Sequence, residues 1–233
     1  MFVCINCGAE AEKRFYQYGK DVIRLADCQC CNKVVDKYVE YDKPLICVDV
    51  FLQNFEAYRH LLINENISSK GRITFVLLLN EAFGAWHAER AKILEISPSL
   101  TIHQLAAIFY IKLFQAVFEH IVFSVSIYLL FRLLTSEPKT SLDLISIFKH
   151  SIIGSYGNFF STLLIIWKLN NDWSDILLVS AILLLTHIQI QRTFHSPVPK
   201  YTIATIVSIS LILKFAIRSY ISHFIVYDSS SFE

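Results

Sequence analysis

Apolar and polar positions along the chain change period three times, and each change marks a different kind of element. Between residues 15 and 25, Phe15-Tyr-Gln-Tyr18 and Val22-Ile-Arg-Leu25 flank Gly19-Lys20-Asp21, which predicts two short strands around a turn. Val34-Val35 and Tyr38-Val39-Glu40-Tyr41 predict a third strand-like run. From Val48 the period becomes three to four. Val48, Phe51, Leu52, Phe55, Tyr58 and Leu62 fall on one side, and Asp49, Gln53, Glu56, His60 and Asn64 on the other. That pattern predicts one amphipathic helix from about 46 to 64, its stripe packed on the strands or lying in a membrane interface.

After a polar linker, the chain becomes a series of apolar runs. Ile73 to Trp86 is short and interrupted by Asn80-Glu81, so an interfacial or re-entrant segment is expected, with Trp86 in an interfacial belt. Four longer runs follow, at about Leu113–Leu134, Ile152–Trp167, Ile176–Ile190 and Tyr201–Tyr220. They predict about four membrane spans, plus or minus one. Lys168-Leu-Asn-Asn-Asp-Trp-Ser174 reads as a tight turn at a membrane surface, and Glu137-Pro138-Lys139, Pro197 and Pro199 punctuate other loops. The predicted organisation is a small strand-bearing module with its helix (1–65), a linker carrying the short segment (66–104), an all-α polytopic membrane domain (105–226) and a polar tail (227–233).

Composition agrees with a membrane protein: 54% of the 233 residues are hydrophobic and 18% charged, below the ~25% charged residues usual in soluble domains. A net charge of +1 argues against nucleic acid as a partner. Orientation is not decided by loop charge. In the four-span arrangement, with both ends cytosolic, Arg132, Lys139, Lys149, Arg192 and Lys200 lie on one side. Arg90, Lys92, Lys168, Lys214 and Arg218 lie on the other.

All six cysteines lie within the first 47 residues, as Cys4-Ile-Asn-Cys7-Gly8, Cys28-Gln-Cys30-Cys31 and Cys47. Two Cys-x-x-Cys hooks can aim four sulfurs at one tetrahedral ion at ~2.3 Å, whereas sulfurs three residues apart are poorly placed for separate disulfides. The ligand set read here is Cys4, Cys7, Cys28 and Cys31 around one structural Zn²⁺, which with the short strands makes residues 1–65 a small zinc-ribbon module plus amphipathic helix; Cys30 points outward and Cys47 is packed or interfacial. Arg14, Lys33 and Lys37 are the available counter-charges. Gly8 supplies positive φ behind the first hook. No signal peptide is expected ahead of the hooks, which places the thiols on the cytosolic, reducing side. Asn66-Ile-Ser68, a glycosylation sequon, should then remain unmodified.

A four-sulfur site has no open position for water, and His-x-x-His-His, Gly-x-Ser-x-Gly and Gly-rich phosphate loops are lacking, so no enzyme activity is expected. Within the first predicted span, Lys112, Gln115 and Glu119 share a face with His120 adjacent. Such groups can mark a polar pathway or partner contact. The reading favoured here is milder: Lys112 snorkels to the interface and Glu119 sits about six residues in, while His187 and Lys214 are helix-end residues.

The hooks, Val35-Asp-Lys-Tyr-Val-Glu-Tyr-Asp42 and Ala57-Tyr-Arg-His-Leu-Leu-Ile-Asn64 together resemble the homology domain of the Arv family, over roughly the first 65 residues. The resemblance implies a multi-pass protein of the endoplasmic-reticulum membrane, acting in sterol and sphingolipid distribution and in glycosylphosphatidylinositol (GPI) anchor synthesis. Implied partners are membrane lipids (sterol, sphingolipid, GPI precursors) and the membrane enzymes of GPI synthesis or sterol handling. Asp36, Lys37, Tyr38, Glu40, Asp42, Tyr58, Arg59, His60 and Asn64 are then expected to form an exposed partner surface. The alternative is a membrane-anchored zinc adaptor of a ubiquitin ligase or other assembly; a RING would need eight ligands, and four good ones are present.

Overall fold

A computed structural model of the chain describes residues 2–20, 22–67, 70–96, 101–135, 143–167, 173–195 and 198–229. Most of the expected turn at 168–174 lies outside them, as do Glu137-Pro138-Lys139, Pro197, Ser68 of the sequon and the last four residues. The chain divides into two compact units, Met1–Lys70 with Gln189–Val198, and Gly71–Ile188 with Pro199–Glu233.

The first unit starts with two antiparallel hairpins. Strands β1 (Phe2–Val3) and β2 (Glu10–Ala11) pair Phe2 with Ala11 and Val3 with Glu10. Strands β3 (Phe15–Gln17) and β4 (Ile23–Leu25) pair Tyr16 with Arg24. The third expected strand is absent among the described residues. Val34 makes only an isolated bridge to Asp27, and Lys37–Glu40 form a 3-10 turn. The reason is local: the Asp36 carboxylate accepts the Tyr38 N–H (3.1 Å), capping a turn where a strand would need a pairing partner.

The expected helix over 46–64 is also corrected. It is two helices, α1 (Lys43–Phe51) and α2 (Phe55–Arg59), the second continuing as a π-helical turn over His60–Asn64. Gln53 takes a φ of 60°, and Asn54 accepts the Glu56 N–H with its side chain, so the backbone ends one helix and caps the next. Of the predicted apolar stripe, Tyr58 and Leu62 are buried while Val48, Phe51 and Leu52 are exposed, Leu52 at 73%. Two small cores result. Cys4, Ala26, Cys28 and Val35 form one, and Ile5, Tyr38, Ile46 and Ala57 the other.

The second unit is helical: α3 (Gly71–Ile96), α4 (Ile102–Leu134), α5 (Leu144–Gly154), α6 (Asn158–Ile166), α7 (Trp173–Phe194, whose last turn groups with the first unit) and α8 (Lys200–Ser229). Thr101 and Gln104 form a capping box that starts α4. Helix α4 is central and packs against α3, α5 and α8. Among the described residues, three helices are long and apolar enough to cross a membrane: Ile102–Leu134, Trp173–Phe194 and Lys200–Ser222. The expected span at 152–167 is instead broken by a 3-10 turn at Ser155–Gly157. The break lies where α5 and α6 approach α7. A Cβ on Gly154 would stand 2.5 Å from the His187 ring, and one on Gly157 3.1 Å from Ile182 and Leu183.

Ile73–Trp86 is not a short separate segment but the first part of the 26-residue α3. Trp86 is not free for an interfacial belt, since its indole donates to the Leu105 carbonyl (2.9 Å) and its ring meets Phe83 and Phe109. Phe114, Leu133, Ile176, Leu177 and Ile212 stay exposed on the outer helix faces, as apolar solvent would require.

Candidate functional sites

The four predicted cysteines converge. Each hook is a tight knuckle followed by a residue in the left-handed region. At the first, the Cys4 N–H donates to Ala9 (2.8 Å) and Gly8 donates back to the Cys4 carbonyl (2.9 Å), with Gly8 at φ 87°. At the second, the Cys28 N–H donates to Lys33 (2.8 Å) and Asn32 to the Cys28 carbonyl (2.9 Å), with Asn32 at φ 55°. Sequence reasoning found Gly8 but missed Asn32, the other residue type that tolerates this backbone.

The Sγ atoms of Cys4, Cys7, Cys28 and Cys31 lie within 4.8 Å of one another. Cys4 and Cys31 are 3.8 Å apart, and Cys7 and Cys28 3.6 Å. A tetrahedron with metal–sulfur bonds of ~2.3 Å has edges of about 3.8 Å, so the cluster has the size a metal ion needs. The Cys28 thiol is lowered to about 7 because the backbone N–H groups of Cys31 and Cys30 stabilise its thiolate. At Cys7 the Ala9 N–H acts the same way, but burial and the neighbouring thiols outweigh it and push Cys7 up to about 12. The four sulfurs compete for negative charge, a conflict that a bound dication resolves. Cys30 is exposed, as expected; Cys47 is exposed as well, not packed.

Of the expected counter-charges, Arg14 and Lys37 are engaged away from the hooks. Arg14 pairs with Glu65 (2.8 Å) and Lys37 with Glu56, and Lys33 is exposed. Arg59 takes the position beside the hooks. Its Nη1 donates to the carbonyls of Ile5 (3.2 Å) and Asn6 (2.9 Å), and its Nη2 closes over Gly8, where a Cβ would stand only 2.9 Å away. Burial and Arg192 lower the Arg59 guanidinium from its ordinary value, while Cys4 and Cys7 favour its charge.

The expected exposed surface is largely interior. Asp36, Tyr38, Tyr58, Arg59, His60 and Asn64 are buried, Asp36 completely; Glu40 and Asp42 are exposed and Lys37 half-buried. The buried carboxylate of Asp36 is paired: His60 Nδ1 lies 2.8 Å from Oδ2, and Asn64 Nδ2 donates to the same oxygen (2.8 Å). Asn64 also accepts the Val3 N–H (2.9 Å) and donates to the Val3 carbonyl (3.0 Å), as a neighbouring strand would. Tyr38 donates to Asp49 (2.7 Å) and Tyr58 to Gln53 (3.1 Å). These residues tie the segment after the second hook to β1 and α2. They hold the frame of the cysteine cluster.

In the helical unit, the structure overturns the favoured reading of Lys112, Gln115, Glu119 and His120. None snorkels; Lys112 is 2% exposed, Glu119 1% and His120 0%. They belong to an ion-pair network with residues the sequence reading did not assign to it. Glu81 on α3 lies 2.7 Å from His120 Nε2 and 2.9 Å from Lys214 Nζ, and also pairs with Arg218. Glu119 pairs with Arg218 and accepts from Gln115 (2.9 Å). Lys112 donates to Gln115 (3.2 Å) and faces Glu89 (3.3 Å), which also accepts from Ser222 (3.0 Å). His120 Nδ1 is 2.6 Å from Ser151 Oγ. The usable signal was complementary spacing. Glu81 and Glu89 stand two turns apart on one helix face, and Lys214, Arg218 and Ser222 recur every fourth residue on another.

A model of the Arv1-like family matches residues 3–190. Protein ARV1 of Mus musculus is 29% identical over 172 residues, covering 72% of this chain and 64% of its own length. Protein ARV1 of Homo sapiens is 28% identical over 179 residues, covering 75% of this chain and 65% of its own. Protein ARV1 of Saccharomyces cerevisiae is 42% identical over 62 residues, or 27% of this chain and 19% of its own. The chain thus spans just under two thirds of the length of the mouse and human relatives. No solved structure matches.

Proposed function

The chain belongs to the Arv1-like family, and from that membership we propose that it is an endoplasmic-reticulum membrane protein supporting sterol and sphingolipid distribution. On this reading it also assists GPI-anchor synthesis, as a non-catalytic partner of the membrane enzymes. The observation that carries the reading is the reach of the match, which runs from the cysteine hooks at residue 3 to residue 190 in α7 and so takes in both the metal centre and membrane helices. The ion is Zn²⁺, because four cysteine sulfurs at tetrahedral spacing form the donor set that zinc takes in structural sites. With all four positions filled by sulfur, it organises the fold and leaves no place for a reacting water. The module lies on the cytosolic side, where thiols stay reduced.

The test is made in cells lacking the gene, with the full chain returned on a plasmid. Free-sterol distribution and the amount of GPI-anchored protein at the surface should both be abnormal without it and restored with it. Normal values for both in the deletion refute the reading. Metal analysis of the purified chain should find one zinc per molecule.

A further inference from the structure

The helical unit holds a half-open cavity of about 910 Å³, lined by residues of α3, α4, α6, α7 and α8. Its wall has two characters. Leu164, Ile165, Val179, Leu183 and Phe215 are apolar, whereas Glu89, Lys112, Gln115 and Arg218 bring the buried ion-pair network to the space. Ile176 and Phe215, which also line it, are partly exposed (62% and 37%), so the apolar side reaches the outer surface of the helices.

Two atoms of the lining residues lack a hydrogen-bond partner among the described residues: Glu89 Oε1, an acceptor, and Asn80 Nδ2, a donor. Glu89 is 3% exposed, and only its other oxygen is held, by Lys112 and Ser222. Arg218 is committed to Glu81 and Glu119 through Nε and Nη2, which leaves Nη1 for an incoming acceptor. A buried carboxylate oxygen without a donor is costly, and an ammonium N–H satisfies it better than a neutral hydroxyl does.

Charge limits the occupant further. Glu81, Glu89 and Glu119 face Lys112, Lys214 and Arg218, three acids against three bases, and the lining adds one of each, Asp175 and Lys92. A ligand with a net charge would enter this balanced set uncompensated. The occupant must therefore be neutral overall, with an N–H donor for Glu89, an acceptor for Arg218 or Asn80, and substantial apolar bulk. A quaternary ammonium has no N–H to give.

The geometry points to a diacyl lipid with a phosphoethanolamine-type headgroup as the ligand of this cavity. Its ammonium meets Glu89 Oε1, its phosphate meets Arg218, and an acyl chain follows Val179, Leu183 and Phe215 outward. This deepens the lipid-handling reading above and rests on it.

The experiment uses the full chain in mild detergent and native mass spectrometry. Dioleoyl phosphatidylethanolamine and dioleoyl phosphatidylcholine are offered in equal amounts, with cholesterol and a ceramide in separate arms. The ethanolamine lipid should be retained over the choline lipid by about tenfold, and Glu89→Gln should remove that preference. Because Glu89→Gln also disturbs Lys112, a second variant fills the space. Gly84 lines the cavity, and a Cβ there meets nothing within 4 Å. Gly84→Leu should fold at least as well, since leucine favours helix over glycine, yet lose about tenfold in ethanolamine-lipid retention. Equal retention of the two phospholipids, or retention unchanged in Gly84→Leu, overturns the proposal. Retention of cholesterol or ceramide in place of the ethanolamine lipid overturns the headgroup assignment alone, while the cellular sterol and GPI measurements judge the wider reading separately.

Discussion

Replacing Glu81 by glutamine tests whether the charges of the helical unit form one neutral interior set. Glu81 is 4% exposed and faces His120, Lys214 and Arg218. The substitution changes the balance from three acids and three bases to two and three. Arg218 keeps Glu119, so the uncompensated charge falls on Lys214, itself 4% exposed. Removing one partner of a buried ion pair costs about 3–5 kcal/mol, mostly because the other charge is left buried. For a chain of this length each kcal/mol moves the melting temperature by roughly 2–4 °C, so a fall on the order of 10 °C is expected. Thermal unfolding of the detergent-solubilised chain measures it. The decisive comparison is Glu81→Gln with Lys214→Met. Both charges are then gone and the methionine packs where the lysine stem lay, so more than half of the lost stability should return. A single variant melting with the wild type, or a double variant no better than the single, would refute the reasoning.

Four further outcomes follow from the geometry. Changing Cys4, Cys7, Cys28 or Cys31 to Ser should each abolish bound metal in elemental analysis, while Cys30→Ser, at an exposed position, should leave it intact. Asp36→Ala leaves His60 and Asn64 without their buried acceptor and should destabilise the first unit by about 3 kcal/mol, seen as faster limited proteolysis ahead of Lys70. Thr101→Ala removes one half of the α4 capping box and should cost about 1 kcal/mol, a shift of roughly 2–4 °C in melting. Arg14 holds the Glu65 carboxyl below its usual range. That contribution is complete above the ordinary carboxylate range and lost as pH falls through the lowered value, so Glu65→Gln should flatten the acid side of the stability profile.

The convergence of the four cysteines was legible because the hooks are local: three-residue spacing aims two sulfurs, whatever the rest of the chain does. The third strand was not legible, because Tyr38-Val39-Glu40-Tyr41 has strand composition and only the Asp36 cap turns it into a 3-10 helix. The helix over 46–64 failed at Gln53-Asn54, where one left-handed residue and one side-chain cap override a continuous apolar stripe. His60 and Asn64 looked like a polar face because amphipathic reasoning assigns polar residues to solvent. Here the polar face turns inward onto a buried carboxylate. A sequence shows that a residue can form hydrogen bonds, but the location of its partner, 24 or 28 residues away, depends on the fold.

The same blindness to partners governs the count of membrane helices. Helix α3 is not among the three candidates because Arg72, Asn80, Glu81, His87 and Glu89 lower its hydropathy, and hydropathy charges each residue as if it were alone. Glu81 and Glu89 are not alone. Lys112, Lys214 and Arg218, on the two apolar helices α4 and α8, neutralise them at contact distance. The 26 residues of α3 extend about 39 Å, more than the ~30 Å of a hydrocarbon core. Length and charge, the two physical objections to the Ile73–Trp86 segment as part of a membrane span, therefore both weaken once the helix is seen whole and paired. The cationic partners face a mirrored difficulty. Lys214 and Arg218 lie far along α8, where their charge would be expensive in lipid without Glu81 and Glu119. Each helix carries charges that only its neighbours make tolerable, so α3, α4 and α8 are stable in an apolar surrounding as a set.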